Sequence, residues 1–316
     1  MAREMKPIIY AIYDLLASVV IFLLLPILKI TRKYGVENFP LQYKLFQWWG
    51  VFPIRDHYYE TKFVYESSFE AGRVRDLPIA IDLDGQLQQL HNFVYITELA
   101  FLPAEKLEEG KFFVHNPNFA AGDAELYYLL VRNKKPRRII EIGAGYSTQL
   151  CLIALNKNKS EGTHCDLTCI EPFEMPFLDT VKDITVIREQ VETVSLDLFK
   201  SLESNDILFI DSSHIIRPGN DLLFIYFQIL PILKKGVLIH IHDIFTPRHY
   251  PQEWLMKKMR FWNEQYLLEA FLYNNAGFKI LFTLNHLVKT NFIAANKTLI
   301  HLKPNSEPSS FWMAKV

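Results

Sequence analysis

The sequence predicts a doubly wound α/β domain behind an apolar N-terminal segment, and three observations carry that expectation. From Arg137 onward, short runs that are apolar on both faces alternate with helical stretches, the pattern of a parallel sheet covered by helices on both sides. The first of these runs leads into the glycine-bearing turn EIGAGYST, Glu141 to Thr148, which opens a helix. The chain has 316 residues, 50% of them apolar and 22% charged. That suits one large domain with appendages and excludes a disordered chain.

The elements follow in order. From Pro7 to Ile30 the chain reads PIIYAIYDLLASVVIFLLLPILKI, uncharged between Leu15 and Leu28. A helix over residues 8–30 would be about 34 Å long, enough for a hydrocarbon core of about 30 Å, so residues 1–33 are expected to form a membrane-associated helix. Asp14 and Pro26 leave a spanning and a re-entrant helix both open, and a buried helix of the globular domain is the alternative. Arg3 and Lys6 on one side are outweighed by Lys29, Arg32 and Lys33 on the other, which biases the C-terminal side, and with it the catalytic domain, toward the cytoplasm. Trp48, Trp49, Phe52 and the rings around Tyr58 and Tyr59 suit either the headgroup layer or a core. Residues 34–115, punctuated by Pro40, Pro53, Pro78 and Pro103, read as a helical or mixed appendage. It contains the polar, aromatic run VFPIRDHYYE, Val51 to Glu60, and a helix expected over Leu87–Leu102.

The α/β domain is placed at residues 116–316. RRIIEIGA is the first strand and Ser147–Leu155 a helix; Leu167–Glu171 is the second strand, followed by a weak helix; DITVI from Asp183 is the third strand and Asp206–Asp211 the fourth. Asp221–Leu233 is a helix, Gly236–Asp243 the fifth strand, Trp254–Tyr273 a helix, and GFKILFT and SSFWMAKV are two more strands. With 34 Lys+Arg against 35 Asp+Glu, no global field draws the chain to nucleic acid. Three cysteines without framework spacing argue against a secreted disulfide scaffold, and His164, Cys165 and Cys169 read as core rather than as a metal site.

Gly143 and Gly145 allow a tight turn and close backbone approach to a ligand at a helix N-terminus. The third glycine of a dinucleotide fingerprint is replaced by Thr148, and Glu141 stands two residues before Gly143, departures that favour S-adenosylmethionine over a pyrophosphate-bearing cofactor. Glu171 at the tip of the second strand suits both hydroxyls of a ribose. Asp211 in IDSSH and Asp243 in IHIHD close neighbouring strands and project into the crevice where α/β sheets bind ligands. With His242 they make a donor set for a divalent ion, the oxygens favouring Mg²⁺ or Mn²⁺ and the imidazole admitting Zn²⁺ or Fe²⁺. Hydrogen bonding and general-base work by the same groups is the alternative. Of His240 and His242, which share a face, one is expected to be a core residue. The loop FTPRHYPQEW, Phe245 to Trp254, reads either as a substrate lid or as a rigid connection.

With EIGAGYST, IEP, ILFIDSSH and IHIHDIF in this order, the chain resembles class I S-adenosylmethionine-dependent methyltransferases over roughly residues 116–316, in particular the small-molecule and sugar O-methyltransferase branch. The resemblance implies a Rossmann-like sheet of seven strands in the order 3-2-1-4-5-7-6, the last antiparallel. It places Glu141, Gly143 and Gly145, with Ser147 behind them, at the methionine side of the cofactor, Glu171 at the ribose and Gln190 nearest the adenine. Asp211 and Asp243 take the metal positions, while His242 stands where related enzymes often carry an acidic ligand. The implied reaction is methyl transfer from S-adenosylmethionine to a hydroxyl of a small-molecule, sugar or envelope-glycan acceptor, with Asp211 and Asp243 holding a metal that orients the hydroxyl and His214 or His242 taking its proton. Two rivals remain. One is a dinucleotide-dependent sugar oxidoreductase, disfavoured by Thr148 and by the lack of a Tyr-x-x-x-Lys pair. The other is a membrane-tethered, non-catalytic binding module on a methyltransferase fold, disfavoured by the intact Asp211, His214, His242 and Asp243 set.

Overall fold

All seven expected strands are present in the computed structural model: β1 (Arg138–Ile142), β2 (Asp166–Ile170), β3 (Ile184–Ile187), β4 (Ile207–Ile210), β5 (Leu238–Ile241), β6 (Phe278–Thr283) and β7 (Phe311–Lys315). They form one sheet in the order β3-β2-β1-β4-β5-β7-β6. β1 to β5 pair in parallel, and β7 runs antiparallel to both β5 and β6. The structure describes residues 2–51, 70, 72–108, 110–256, 258 and 260–316. They divide into two units, Met1–Tyr65 and Glu66–Val316. The expectations about Phe52, Tyr58, Tyr59 and the rest of VFPIRDHYYE beyond Val51 lie outside the described residues.

The strands are apolar on both faces because both faces are covered. Ile139, Leu167, Cys169, Ile207, Phe209 and Leu238 point into one core, packed by the helices α4 (Asp123–Lys134) and α5 (Tyr146–Ser160). Their strand neighbours Ile140, Ile170, Leu208 and Ile239 point into the other, against Phe199, Ile225 and Ile229. This alternation is the period of two that a pleated strand imposes. Arg132 of α4 is fully buried. It pairs with Glu98 at 2.8 Å and Glu161 at 2.5 Å, and its guanidinium lies 4.0 Å from the Tyr95 ring centre. The segment before the sheet is thereby tied to α4 and α5. Farther on, Arg75 reaches Glu269 at 2.9 Å and the carbonyls of Pro247 and Arg248.

Within the first unit, one helix runs from Ala2 to Tyr34, straight through Pro26, which removes a single hydrogen bond from a long ladder. Its stretch Tyr10–Tyr34 is the one helix among the described residues that is long and apolar enough to cross a membrane. Leu15, Phe22 and Leu23 are exposed along it, whereas Thr31 is buried and donates its hydroxyl to Gln42 Oε1 at 2.6 Å.

Four local expectations need correction. The helix expected over Leu87–Leu102 is a helix at Leu83–His91 followed by a 3₁₀ turn at Ile96–Phe101. Asp82 starts it early by accepting Gly85 N at 2.8 Å, and Val94 N leaves the ladder for Asn133 Oδ1 at 3.0 Å. The helix over Asp221–Leu233 contains a wide π turn at Ile225–Ile229, just ahead of Pro231, whose missing N–H forbids a regular ladder there. Trp254–Tyr273 is two helices, Gln252–Met256 and Glu264–Leu272, the second beginning where Asn263 N and Glu264 N donate to the His214 carbonyl. His164 is exposed, 3.1 Å from Asp166, rather than part of the core.

Candidate active site

The turn after β1 is shaped by the tip of β4. Gly143 adopts φ 84°, and a Cβ on it would lie 2.0 Å from the carbonyl oxygen of Asp211. Only glycine fits where the two strand ends approach this closely. Gly145 is extended, and a Cβ there would meet nothing within 4 Å, so its lack of a side chain keeps space open. Glu171, at the end of β2, accepts Ala144 N at 3.1 Å and Phe173 N at 2.9 Å, which ties the β2 tip to the glycine turn. Between them opens a cleft of about 330 Å³, lined by Gly143, Glu171, Phe173, Gln190, Asp211 and Ser212 among others. The Ser212 hydroxyl is buried there without a hydrogen-bond partner.

Glu141 and Ser147 do not line this cleft. Both are buried beneath the turn, where Ser147 donates its hydroxyl to Glu141 Oε1 at 2.5 Å and the Cys169 thiol stands 3.6 Å from Oε2. Burial pushes the Glu141 carboxyl up to about 7, against the hydrogen bonds from Ser147 and Thr148.

Asp211 joins the cleft to a cluster of acids and imidazoles at the tips of β4 and β5. His214 Nε2 lies 3.1 Å from Asp211 Oδ1 and 3.6 Å from Asp243 Oδ2. His242 Nδ1 lies 3.6 Å from Asp211 Oδ2 and 3.4 Å from Asp243 Oδ1. His214 and Asp243 both hold positive φ, 60° and 58°, a strained setting for residues with side chains that recurs at functional sites. Burial works against charge on these imidazoles, but Asp211 and Glu264 lift His214 to about 10, and Asp243 and Asp211 lift His242 well above its ordinary value. Burial likewise opposes charge on Asp211, yet His242 and His214 hold its carboxyl well below the usual range.

Asp211, Asp243, His214 and His242 lie together at the strand tips, but the ligand atoms that approach one another most closely include His214 in place of the expected His242. One ligand atom each from Asp211, His214 and Asp243 lie within 4.8 Å of one another, the group among the described residues best disposed for a metal ion. His240 is the core residue of its pair, fully buried with its ring 4.0 Å from that of Phe209, its Nε2 2.9 Å from Ser310 Oγ, and its basicity depressed by burial. The loop after β5 is a fixed connection. Phe245 and Tyr250 are buried in it, Phe245 N donates to Gln265 Oε1 at 3.1 Å, and Gln265 Nε2 donates to Arg248 O at 2.9 Å.

Three contributors carried no sequence signal. Asp123, at the start of α4, accepts Ser309 N at 2.9 Å and Ser310 N at 2.7 Å and stands 3.7 Å from His242 Nε2. Ser309 donates its hydroxyl to Asp243 at 2.9 Å, and Glu264 bonds His214.

Residues 140–244 match the family described as "Methyltransferase domain", and the matched stretch spans the glycine turn, Glu171 and both strand-tip aspartates. This is a class I methyltransferase fold. The domain also resembles an uncharacterized protein of Archaeoglobus fulgidus, 28% identical over 139 residues that cover 41% of this chain and 61% of that protein. The chain therefore spans less than two thirds of that relative's length. Among solved structures, an O-methyltransferase from Bacillus cereus in complex with SAH covers 76% of this chain and 93% of its own, at 16% identity and TM-score 0.35. A SAM dependent methyltransferase from Archaeoglobus fulgidus covers 61% and 94%, at 14% identity and TM-score 0.30.

Proposed function

We propose that this protein transfers the methyl group of S-adenosylmethionine to a hydroxyl oxygen of a small-molecule, sugar or envelope-glycan acceptor, assisted by a divalent cation. The observation that carries the reading is the continuity of the glycine-turn cleft with the acid–imidazole cluster through Asp211, which belongs to both. A cofactor is accommodated by the open space at Gly145, the unpartnered hydroxyl of Ser212 and the carboxylate of Glu171. Gly143 and Gly145 form the turn at its methionine side, Glu141 and Ser147 hold that turn from beneath, Glu171 takes the ribose, and Gln190 edges the adenine.

S-adenosylmethionine supplies an activated methyl on a sulfonium sulfur. Asp211 and Asp243, with an imidazole donor from His242 or His214, would hold a divalent cation, which would supply the Lewis acidity that lowers the pKa of an acceptor hydroxyl. Oxygen donors of this kind suit Mg²⁺. The acceptor oxygen bonds the methyl carbon as the carbon–sulfur bond breaks, and the hydroxyl proton passes to His214 or His242, in the neutral form that a bound cation would enforce. Holding the reacting atoms in line supplies much of the rest.

The apolar helix Tyr10–Tyr34 anchors the chain in a membrane with the methyltransferase domain on the cytoplasmic side. Calorimetric titration of the detergent-solubilised full chain with S-adenosylmethionine, with and without Mg²⁺, tests the reading. Micromolar binding abolished by Glu171→Ala, and a Mg²⁺ dependence lost in Asp211→Ala, are expected. Absence of binding by the folded chain, or preference for NAD(H), overturns it.

A further inference from the structure

Glu264 is the first residue of the helix Glu264–Leu272 and is completely buried. No lysine or arginine pairs with it among the described residues; its Oε2 lies 2.8 Å from His214 Nδ1, and Tyr226 OH approaches its other oxygen at a longer 3.4 Å. A carboxylate removed from water without a compensating partner is strongly disfavoured, so the His214 ring is what makes this acid tolerable where it is. The same short segment grips His214 in two further ways. Asn263 N and Glu264 N both donate to the His214 carbonyl, at 3.0 and 3.2 Å, and the Trp262 ring packs 4.3 Å from the imidazole centre. The residue's left-handed backbone, its ring plane and one ring nitrogen are thus all set by residues 262–264, about fifty positions away.

We propose that Glu264 is a positioning residue. It holds the Nδ1–H of His214, which turns Nε2 toward Asp211 and Asp243, at 3.1 and 3.6 Å. The inference rests on the methyl-transfer reading for its purpose and deepens it by naming what orients the imidazole. An imidazole's two nitrogens are distinct, and the hydrogen bond made by one decides what the other presents. Without Glu264 the ring is free to flip, and either nitrogen then faces the carboxylates. Glu264 lies outside the cleft lining, so its loss leaves cofactor binding intact.

The test is long-range proton–nitrogen NMR of the full chain in detergent with ¹⁵N-histidine labelling, His214→Gln serving to identify the ring signals. The parent is expected to show a His214 Nδ1 proton protected from solvent exchange. Glu264→Ala should lose that protection. Glu264→Gln, which keeps the volume and an acceptor oxygen, should retain the signal moved upfield, and the fold is checked by circular dichroism. Unchanged His214 signals in a folded Glu264→Gln or Glu264→Ala chain, with only the melting temperature altered, would mean a merely structural acid and overturn the proposal. Calorimetry on the same samples separates the two readings. Cofactor binding that persists in both variants supports the assignment. A parent chain that fails to bind S-adenosylmethionine while its His214 signals respond as described removes the methyltransferase reading and leaves the Glu264–His214 assignment standing.

Discussion

Replacing Gly143 by alanine tests the geometry at the centre of the fold. Its φ of 84° lies in the left-handed region, where a side chain costs about 1–2 kcal/mol. The new methyl would also stand 2.0 Å from the Asp211 carbonyl, backbone that cannot swing aside, and overpacking of this kind typically costs about 1–3 kcal/mol. Together these give about 2–5 kcal/mol, which for a domain of this size is a drop in melting temperature on the order of 10 °C. Because the obstructing oxygen belongs to Asp211, relief of the clash moves the residue that joins the cleft to the acid–imidazole cluster, so cofactor binding should fall with stability. Gly145→Ala is the matched control: extended backbone, no neighbour within 4 Å, hence unchanged stability and a loss confined to cofactor affinity. Thermal unfolding followed by circular dichroism, with calorimetric titration of S-adenosylmethionine, reads both. A Gly143→Ala chain that melts within about 2 °C of the parent would refute the close approach of the β1 and β4 tips.

Glu141, raised to about 7 by burial, binds its proton more tightly folded than unfolded. Its contribution is therefore complete below about pH 4.5 and is lost as pH rises to about 7, a decline of about 3 kcal/mol; without added cofactor, Glu141→Gln should flatten that slope in urea unfolding and be the more stable protein at pH 8. Arg132→Met removes the buried guanidinium's bonds to Glu98, Glu161 and Asn158 and should lower stability by about 1–3 kcal/mol, seen as a lower urea midpoint with an unchanged slope. The full chain should stay in the membrane pellet through an alkaline carbonate wash, and its release into the supernatant would count against the reading of Tyr10–Tyr34 as an anchor.

The strands were legible because each is apolar on both faces, and burial on both faces is what the sheet supplies. Asp211 and Asp243 were legible because each ends such a run, and adjacent strand tips share a crevice. What the sequence hid is what depends on distant partners. Nothing near Glu264 marks it as the partner of His214, and the continuous helix expected over Trp254–Tyr273 is interrupted by that very contact. Local propensity favours a helix there, but the backbone amides of Asn263 and Glu264 are already committed to the His214 carbonyl. Asp123 and Ser309 likewise meet across 186 positions, a distance over which composition and spacing say nothing.

The placement of β7 between β5 and β6 sets an order of events in folding. β1 to β5 can pair as they are made, yet β6 has no neighbour in the sheet until β7 inserts antiparallel beside it. Until then the outer edge of β5, the strand that leads to Asp243, stays open, and unpaired edges of this kind invite association between chains. Ser309 and Ser310 reach Asp123 and Asp243 only when that strand docks. Assembly of the acid–imidazole cluster is therefore coupled to closure of the sheet, and conditions that slow the last insertion should yield aggregation rather than a half-built domain that stays in solution.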